Sequence, residues 1–332
     1  MSNCLPGNVD TSYLSSPHFL VPASKVFIFI ELPVLVFGAY CILLKTPTKM
    51  KPVKFLMLNL HFWSTLSGLM LSFFGVPYFL FPAMAGYALG VIRSPKLLAY
   101  SVVTLVAAVT ASILSIYEDR YFKTFRQKNG WRHFRKPFLF LTVTYVPLLF
   151  VPPFLNLPEQ ETARQHVQNM LPCLTPYTFD DQKMFVLSLD NTIPMSCIAF
   201  GCFFFSTSIM TFFVLTFYHL LAGQKRLNLS SRTLLIQKNF LIAISIQSIF
   251  TIVVMLAPSL TLIFILTIWY HSQVLNNFII IVLSLHGTVS TVVMVLVHKP
   301  YRDVTISMFC LCGKCKLIQV PANQFHLRSV VI

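Results

Sequence analysis

The sequence predicts an all-α membrane protein: a seven-transmembrane helix bundle with its N-terminus outside and a short interfacial eighth helix. Three observations carry that prediction. The 332 residues are 56% hydrophobic and only 11% charged, where a soluble globular chain carries roughly a quarter charged residues. Seven apolar runs are each long enough to cross a bilayer core of about 30 Å at the helical rise of about 1.5 Å per residue. The basic residues fall almost wholly on one side of those runs.

The runs are Val26–Leu44, Val53–Phe74, Leu97–Ile116, Pro137–Leu155, Ile193–Leu221, Phe240–Ile263 and Leu275–Val297. Backbone N–H groups in hydrocarbon need internal partners, so helices are expected. The short alternating segments of a membrane barrel are not seen. Met1–Asp10 has no basic start, and the first run is too long for a signal peptide and lacks a cleavage site, so it reads as a span. Phe79–Ile92 is apolar but short and holds Pro82, Gly86 and Gly90; it reads as the end of the second helix plus an outer turn. The run from Phe240 reaches Tyr270, too long for one straight span, and Pro258 is expected to kink it. The third run carries Thr104, Ala107, Ala108, Ala111, Ser112 and Ser115 on one face. Small residues let helices approach closely, which places this helix centrally; packing alone explains the stripe. Beyond Val297, Tyr301, Val304, Met308 and Leu311 share a face that suits a helix lying in the interface. The organisation is then residues 1–25 as an extracellular N-terminus, 26–297 as the bundle and 298–332 as a cytoplasmic tail. The longest outer loop, Asn156–Asp190, is too short and polar for a core of its own.

The net charge of +15 raises nucleic acid as a partner, and its distribution excludes that reading. The loops after runs 1, 3 and 5 and the C-terminal tail hold 4, 7, 4 and 5 Lys or Arg. The N-terminal segment and the loops after runs 2, 4 and 6 hold 1, 2, 2 and 0. This is the positive-inside pattern. It sets the N-terminus outside and the tail in the cytoplasm, and it lays the basic surface against the anionic lipid of the bilayer.

The sharpest chemical feature ends the third run. Ile116-Tyr117-Glu118-Asp119-Arg120-Tyr121 puts two acids and an Arg where the helix leaves the membrane. An ion pair can hold Arg120, and its release frees a forked cation for a cytoplasmic partner. The plain alternative is an interfacial cluster that anchors the helix. Glu31 is the only acid inside a run, and a carboxylate in hydrocarbon is a functional candidate by default. With Trp63, Tyr100 and Thr104 it forms the candidate ligand-binding set. His61 and His286 sit beside polar residues that commonly bond between helices. They are too scattered for a metal site, so neither a metal nor a cofactor is expected. G-x-S-x-G, H-E-x-x-H and phosphate-binding Gly-rich loops are absent, which argues against an enzyme.

Cys4 and Cys173 are the only cysteines on the predicted outer, oxidising side, and a disulfide between them is expected. Cys310, Cys312 and Cys315 follow the interfacial helix and suit S-palmitoylation. A zinc site there is the weaker alternative, with three ligands and no fourth. Cys41, Cys197 and Cys202 read as buried apolar fillers. The sequon Asn228-Leu229-Ser230 falls on the cytoplasmic side and is expected to stay unmodified.

Seven spans with Glu118-Asp119-Arg120-Tyr121 ending the third resemble G-protein-coupled receptors. The closer resemblance is to the nematode chemoreceptors called serpentine receptor class H. It is carried by FGAYCILLKTPTKMKPVKFLMLNLHFWS (Phe37–Ser64), FPAMAGYALG (Phe81–Gly90), SIYEDRYF (Ser115–Phe122), LPCL (Leu171–Leu174), LNNFIIIVLSLHGTVST (Leu275–Thr291) and HKPYR (His298–Arg302). The resemblance implies a multi-pass plasma-membrane receptor, in the cilia of chemosensory neurons, for an external small molecule or pheromone. It implies a heterotrimeric G protein as partner, with Arg120 as the switch, Glu118 and Asp119 as its restraint and Tyr121 beside it. Lys299, Pro300, Tyr301 and Arg302 would join the seventh span to the interfacial helix at the same face. The sequence departs from common receptor patterns in lacking N-P-x-x-Y in the seventh span, C-W-x-P in the sixth, a Cys opening the third and an Asp in the second, where Gly68 stands. A multi-span transporter or ligand-gated channel is the alternative function.

Overall fold

The computed structural model describes residues 12–124, 130–171, 184–222 and 231–312. Its helices are α1 (Pro17–Leu44), α2 (Lys51–Leu69), α3 (Pro95–Thr124), α4 (Trp131–Leu148), α5 (Val151–Leu155), α6 (Gln160–Met170), α7 (Thr192–Ala222), α8 (Ser231–Ile268), α9 (Gln273–Ser284), α10 (His286–Val297) and α11 (Lys299–Cys312). Three short strands accompany them: β1 (Pro77–Phe79), β2 (Met84–Ala88) and β3 (Phe185–Ser188).

Among the described residues, six helical stretches are long and apolar enough to cross a membrane: Pro17–Leu44, Pro95–Lys123, Trp131–Leu155, Thr192–Tyr218, Lys238–Ile268 and Gln273–Val297. α2 falls outside that set because Lys54, Asn59 and His61 dilute its apolar run. It continues beyond Leu69 through a π-turn over Met70–Phe74. α1 opens on Pro17, where a missing N–H costs nothing, and so begins inside the segment read as an external terminus. It stops at Lys45, whose N–H donates to the Cys41 carbonyl at 3.0 Å. The stretch read as the seventh span is divided at Leu285 into α9 and α10.

α3 is central, packed along α2, α4 and α7. Ala107, Ala108, Ala111 and Ser112 of its small face are all buried, and Asn59 of α2 donates to Ser112 Oγ at 2.8 Å. α10 packs along α8, α1 and α2. Its approach to α2 depends on Gly287, where a Cβ would stand 2.6 Å from the Ser64 carbonyl oxygen.

Two expectations are corrected. The fold is not purely helical: β1, β2 and β3 form an antiparallel sheet in that order. Phe79–Ile92 is therefore not the tail of a helix. The helix ends by Phe74, and pairing of Tyr78 with Tyr87 and of Phe79 with Gly86 satisfies the backbone instead. Gly86 permits the approach, since a Cβ there would lie 2.7 Å from the Tyr78 carbonyl oxygen. The Asn156–Asp190 loop, read as too short and polar for a core of its own, packs its described part onto the bundle. Ala163 and Val167 of α6 and Val186 of β3 are buried together with Leu20, Tyr78 and Leu80. The Gln160 side chain bonds Val186 twice, accepting from its N–H at 3.1 Å and donating to its carbonyl at 3.0 Å. α8 is a single helix that spans Pro258 and reaches Ile268. The long run is one helix, ended where Trp269 takes a positive φ of 53°.

Candidate functional site

The end of α3 opposite the sheet holds a network of acids and cations. Asp119 accepts from Arg120 Nη2 at 2.8 Å and from Lys123 Nζ at 2.7 Å through the same oxygen. Glu118 is fully buried and is held from α4. Trp131 Nε1 donates to it at 2.9 Å, and Arg135 Nε lies 3.0 Å from one carboxylate oxygen and 3.1 Å from the other. Arg135 also reaches Asp119 at 3.4 Å. Its guanidinium stacks over the Phe122 ring at 4.0 Å. Tyr121 packs against Trp131 and Phe212, with ring centroids 6.4 and 5.5 Å away. The two acids thus divide the work: Asp119 pairs with Arg120, and Glu118 ties α3 to α4. Trp131 and Arg135 escaped the sequence reading, although Arg135 stands in the basic stretch that follows the third run.

Arg120 makes one further contact. Its guanidinium sits 4.8 Å from the ring centroid of Phe240 on α8, a distance at which cation–π attraction operates. Phe240 lies 5.7 Å from the His298 ring, and His298 lies 5.8 Å from Tyr301. Tyr301 is fully buried, with its hydroxyl 2.8 Å from that of Thr46 at the end of α1. A line of side chains therefore runs from the end of α3 through α8 to the junction of α10 and α11. Nothing in the pattern of residues singles out Phe240 as this contact among 32 Phe residues.

His298 is pushed down to about 4 by burial, wedged between Phe240 and Tyr301, and burial also raises the Tyr301 phenol. A depressed His has a definite sign. Between about pH 6.5 and 4 the unfolded chain takes up a proton that the folded ring refuses, so stability falls as pH falls. The wild type is expected to lose up to about 3 kcal/mol over that window. His298→Phe is expected to flatten this dependence, measured as thermal midpoint against pH in detergent. Parallel curves for the two proteins would contradict it.

At the sheet end, an apolar cavity of about 160 Å³ lies under β2 and β3 between α3, α7, α8 and α9. Its walls include Leu98, Ala99 and Val103 of α3, Ile198 of α7, Leu262 of α8 and Leu283 of α9. The charged cluster begins fifteen residues along α3 from Val103, roughly 22 Å away at the helical rise.

The profile of a family described as serpentine type 7TM GPCR chemoreceptor Srh matches residues 15–311. The chain belongs to that family. It is also 27% identical to Serpentine receptor class H-72 of Caenorhabditis elegans, over 95% of this chain and 92% of the relative. The class H resemblance read from the motifs is therefore the correct assignment. The chain is a multi-pass membrane protein of a receptor family, and that family is not one of enzymes.

In this Srh chain the predicted ligand set lies apart from the cavity. Glu31 is buried on α1, where Ser72 Oγ donates to its Oε2 at 3.2 Å. Trp63 donates to Asn59 Oδ1 at 3.1 Å. The Tyr100 hydroxyl donates to the Pro147 carbonyl at 2.7 Å, and Thr104 donates to the Tyr100 carbonyl at 2.8 Å. None of the four lines the cavity. Their polarity singled them out, while the cavity is built of residues that look like ordinary filling. Lys299, Pro300 and Arg302 open α11 beside Tyr301; Arg302 Nη1 reaches the Leu296 carbonyl at 3.5 Å. Cys4, Cys173, Cys315 and the Asn228 sequon lie outside the described residues. The backbone of Cys310 and Cys312 closes α11. Of the three cysteines read as buried fillers, Cys41 is buried and Cys197 half-buried, while Cys202 is exposed on α7.

Proposed function

We propose that this Srh chain is a chemosensory receptor that takes an apolar external ligand, a small molecule or pheromone, into the cavity beneath the sheet and activates a heterotrimeric G protein at the Arg120 end of α3. The reading takes α1, α2 with its π-turn, α3, α4, α7, α8 and the α9–α10 pair as seven passes. The basic loops then face the cytoplasm, the N-terminus and the sheet lie outside, and α11 is the interfacial eighth helix. Plasma membrane in the cilia of chemosensory neurons is the matching location.

The single observation that carries the proposal is the relation between the two ends of α3. One end walls an apolar cavity, and the other holds a cation restrained by Asp119 and seated on Phe240. A ligand that fits one arrangement of the bundle better shifts its population toward that arrangement. Separation of Phe240 from Arg120 would open the charged face, with Glu118, Asp119, Tyr121, Lys299, Pro300, Tyr301 and Arg302 around it, to the G protein. In the same picture Cys310, Cys312 and Cys315 carry palmitoyl groups, and a Cys4–Cys173 disulfide ties down the outer loop.

The test is a screen of apolar compounds on cells expressing the chain, read as G-protein activation and repeated with Ala99→Leu. Leucine at 99 fills part of the cavity without adding a polar group. It is expected to raise the concentration needed for half-maximal response roughly tenfold or more, with surface expression unchanged. An unchanged response would remove the cavity from the mechanism. A ligand-evoked current without G protein would favour the channel alternative.

A further inference from the structure

We infer that the seam between α7 and α8 binds an acyl chain of an anionic phospholipid, with Lys238 holding the headgroup phosphate. α7 packs along α3, and α8 packs along α10 and α9, but among the described residues α7 and α8 scarcely touch one another. The space between them is left unfilled by side chains. Toward the end of the bundle that carries Arg120 it forms a cavity of about 130 Å³. Phe213 and Phe217 of α7 wall one side, their rings stacked at 5.8 Å, and Ile242, Ile246 and Ile249 of α8 wall the other.

The occupant follows from the chemistry of that lining and from where it faces. Phe217, Ile242 and Ile249 are exposed to the surroundings of helices that are long and apolar enough to cross a membrane. The medium they meet is hydrocarbon, so what reaches the seam arrives through the bilayer. The lining has two polar members. Ser245 donates to the Leu241 carbonyl of its own helix at 2.8 Å and has its proton committed. Lys238 is exposed at the mouth, and none of the ion pairs among the described residues includes it. No acid occurs anywhere between His219 and Ile268, while Lys225, Arg226 and Arg232 lie nearby in sequence. An apolar slot with a positive mouth matches one amphiphile of the membrane: a tail of hydrocarbon beneath a negative head. Basic pockets between membrane helices bind anionic headgroups for this reason.

Occupancy bears on signalling. Lys238 lies two residues before Phe240, the side chain that covers Arg120. A chain lodged between α7 and α8 braces α8 from the side opposite α10 at that level. The leaflet is the cytoplasmic one if the orientation proposed above holds; the site itself does not depend on it.

The test uses the full-length chain in phosphatidylcholine nanodiscs doped with a photoactivatable acyl probe, carried either on phosphatidylserine or on phosphatidylcholine. Crosslinked peptides are mapped by mass spectrometry. In the wild type the phosphatidylserine probe is expected to label the segments around Phe213–Phe217 and Ile242–Ile249 about fivefold more than the phosphatidylcholine probe. Lys238→Glu is expected to abolish the preference, with Lys238→Gln as the second variant should the first fold poorly by thermal midpoint. Ser245→Trp, which plugs the slot, is expected to lose labelling by both probes. Equal labelling by the two headgroups in the wild type overturns the inference, as does labelling spread evenly over all lipid-facing helices. A preference that survives both Lys238 substitutions overturns it too.

Discussion

Arg120→Ala is expected to reach the cell surface at the wild-type level and to lose G-protein activation. The surface level is predicted from the company Asp119 keeps. Without Arg120 its carboxylate still accepts from Lys123 at 2.7 Å and lies 3.4 Å from Arg135, so no buried acid is stranded. The signalling loss follows from what a guanidinium offers a partner. One charge-assisted hydrogen bond contributes about 2 kcal/mol, some thirtyfold in an equilibrium. Ligand-evoked activation is read by nucleotide exchange on the G protein and normalised to surface receptor. A variant that signals fully would remove Arg120 from the switch and leave it as an anchor for the helix end.

Arg135→Ala is expected to act in the opposite way, through stability. Glu118 is fully buried and has two described donors, Trp131 Nε1 and Arg135. Removing Arg135 leaves a carboxylate out of water with a single neutral partner. Breaking a buried ion pair typically costs about 3–5 kcal/mol. Because the Arg135 side chain is 26% exposed, the low end of that range applies. The measurements are thermal midpoint in detergent and surface yield, and both should fall. Adding Glu118→Gln to the same chain removes the stranded charge and is expected to recover much of the loss. If the single variant is as stable as wild type, the α3–α4 tie is incidental.

The two variants separate features that look like one motif on paper. Glu118 and Asp119 are neighbours in sequence, but successive helical residues point about 100° apart, so they serve different partners. The motif was legible because three charged residues in a row at a membrane edge are rare. Their division of labour was not, because it depends on Arg135 and Trp131 from another helix. Much of the bundle was readable for a similar reason. Hydrocarbon demands long apolar runs, and α3 and α7 obey that demand closely. The sheet was hidden because its strands are three to five residues long and as apolar as the helices they follow. The cavity was hidden because Leu98, Val103 and Leu262 carry no mark that distinguishes a wall from a filled core. Glu31 stood out for its charge, and the structure encloses it against Ser72 rather than opening it to the cavity.

The sheet has a consequence of another kind. A strand at the rim of a sheet is a template on which a neighbouring chain can pair. Here the rim of β3 is occupied by the Gln160 amide, which bonds Val186 as a fourth strand would. At the other rim, the Phe79 carbonyl accepts from Gln273 at 3.0 Å and from Asn276 at 3.4 Å. Side-chain amides thus close off both borders. Copies of this protein crowded in a membrane therefore meet sheet borders already occupied at Val186 and Phe79, which opposes joining strand to strand into aggregates.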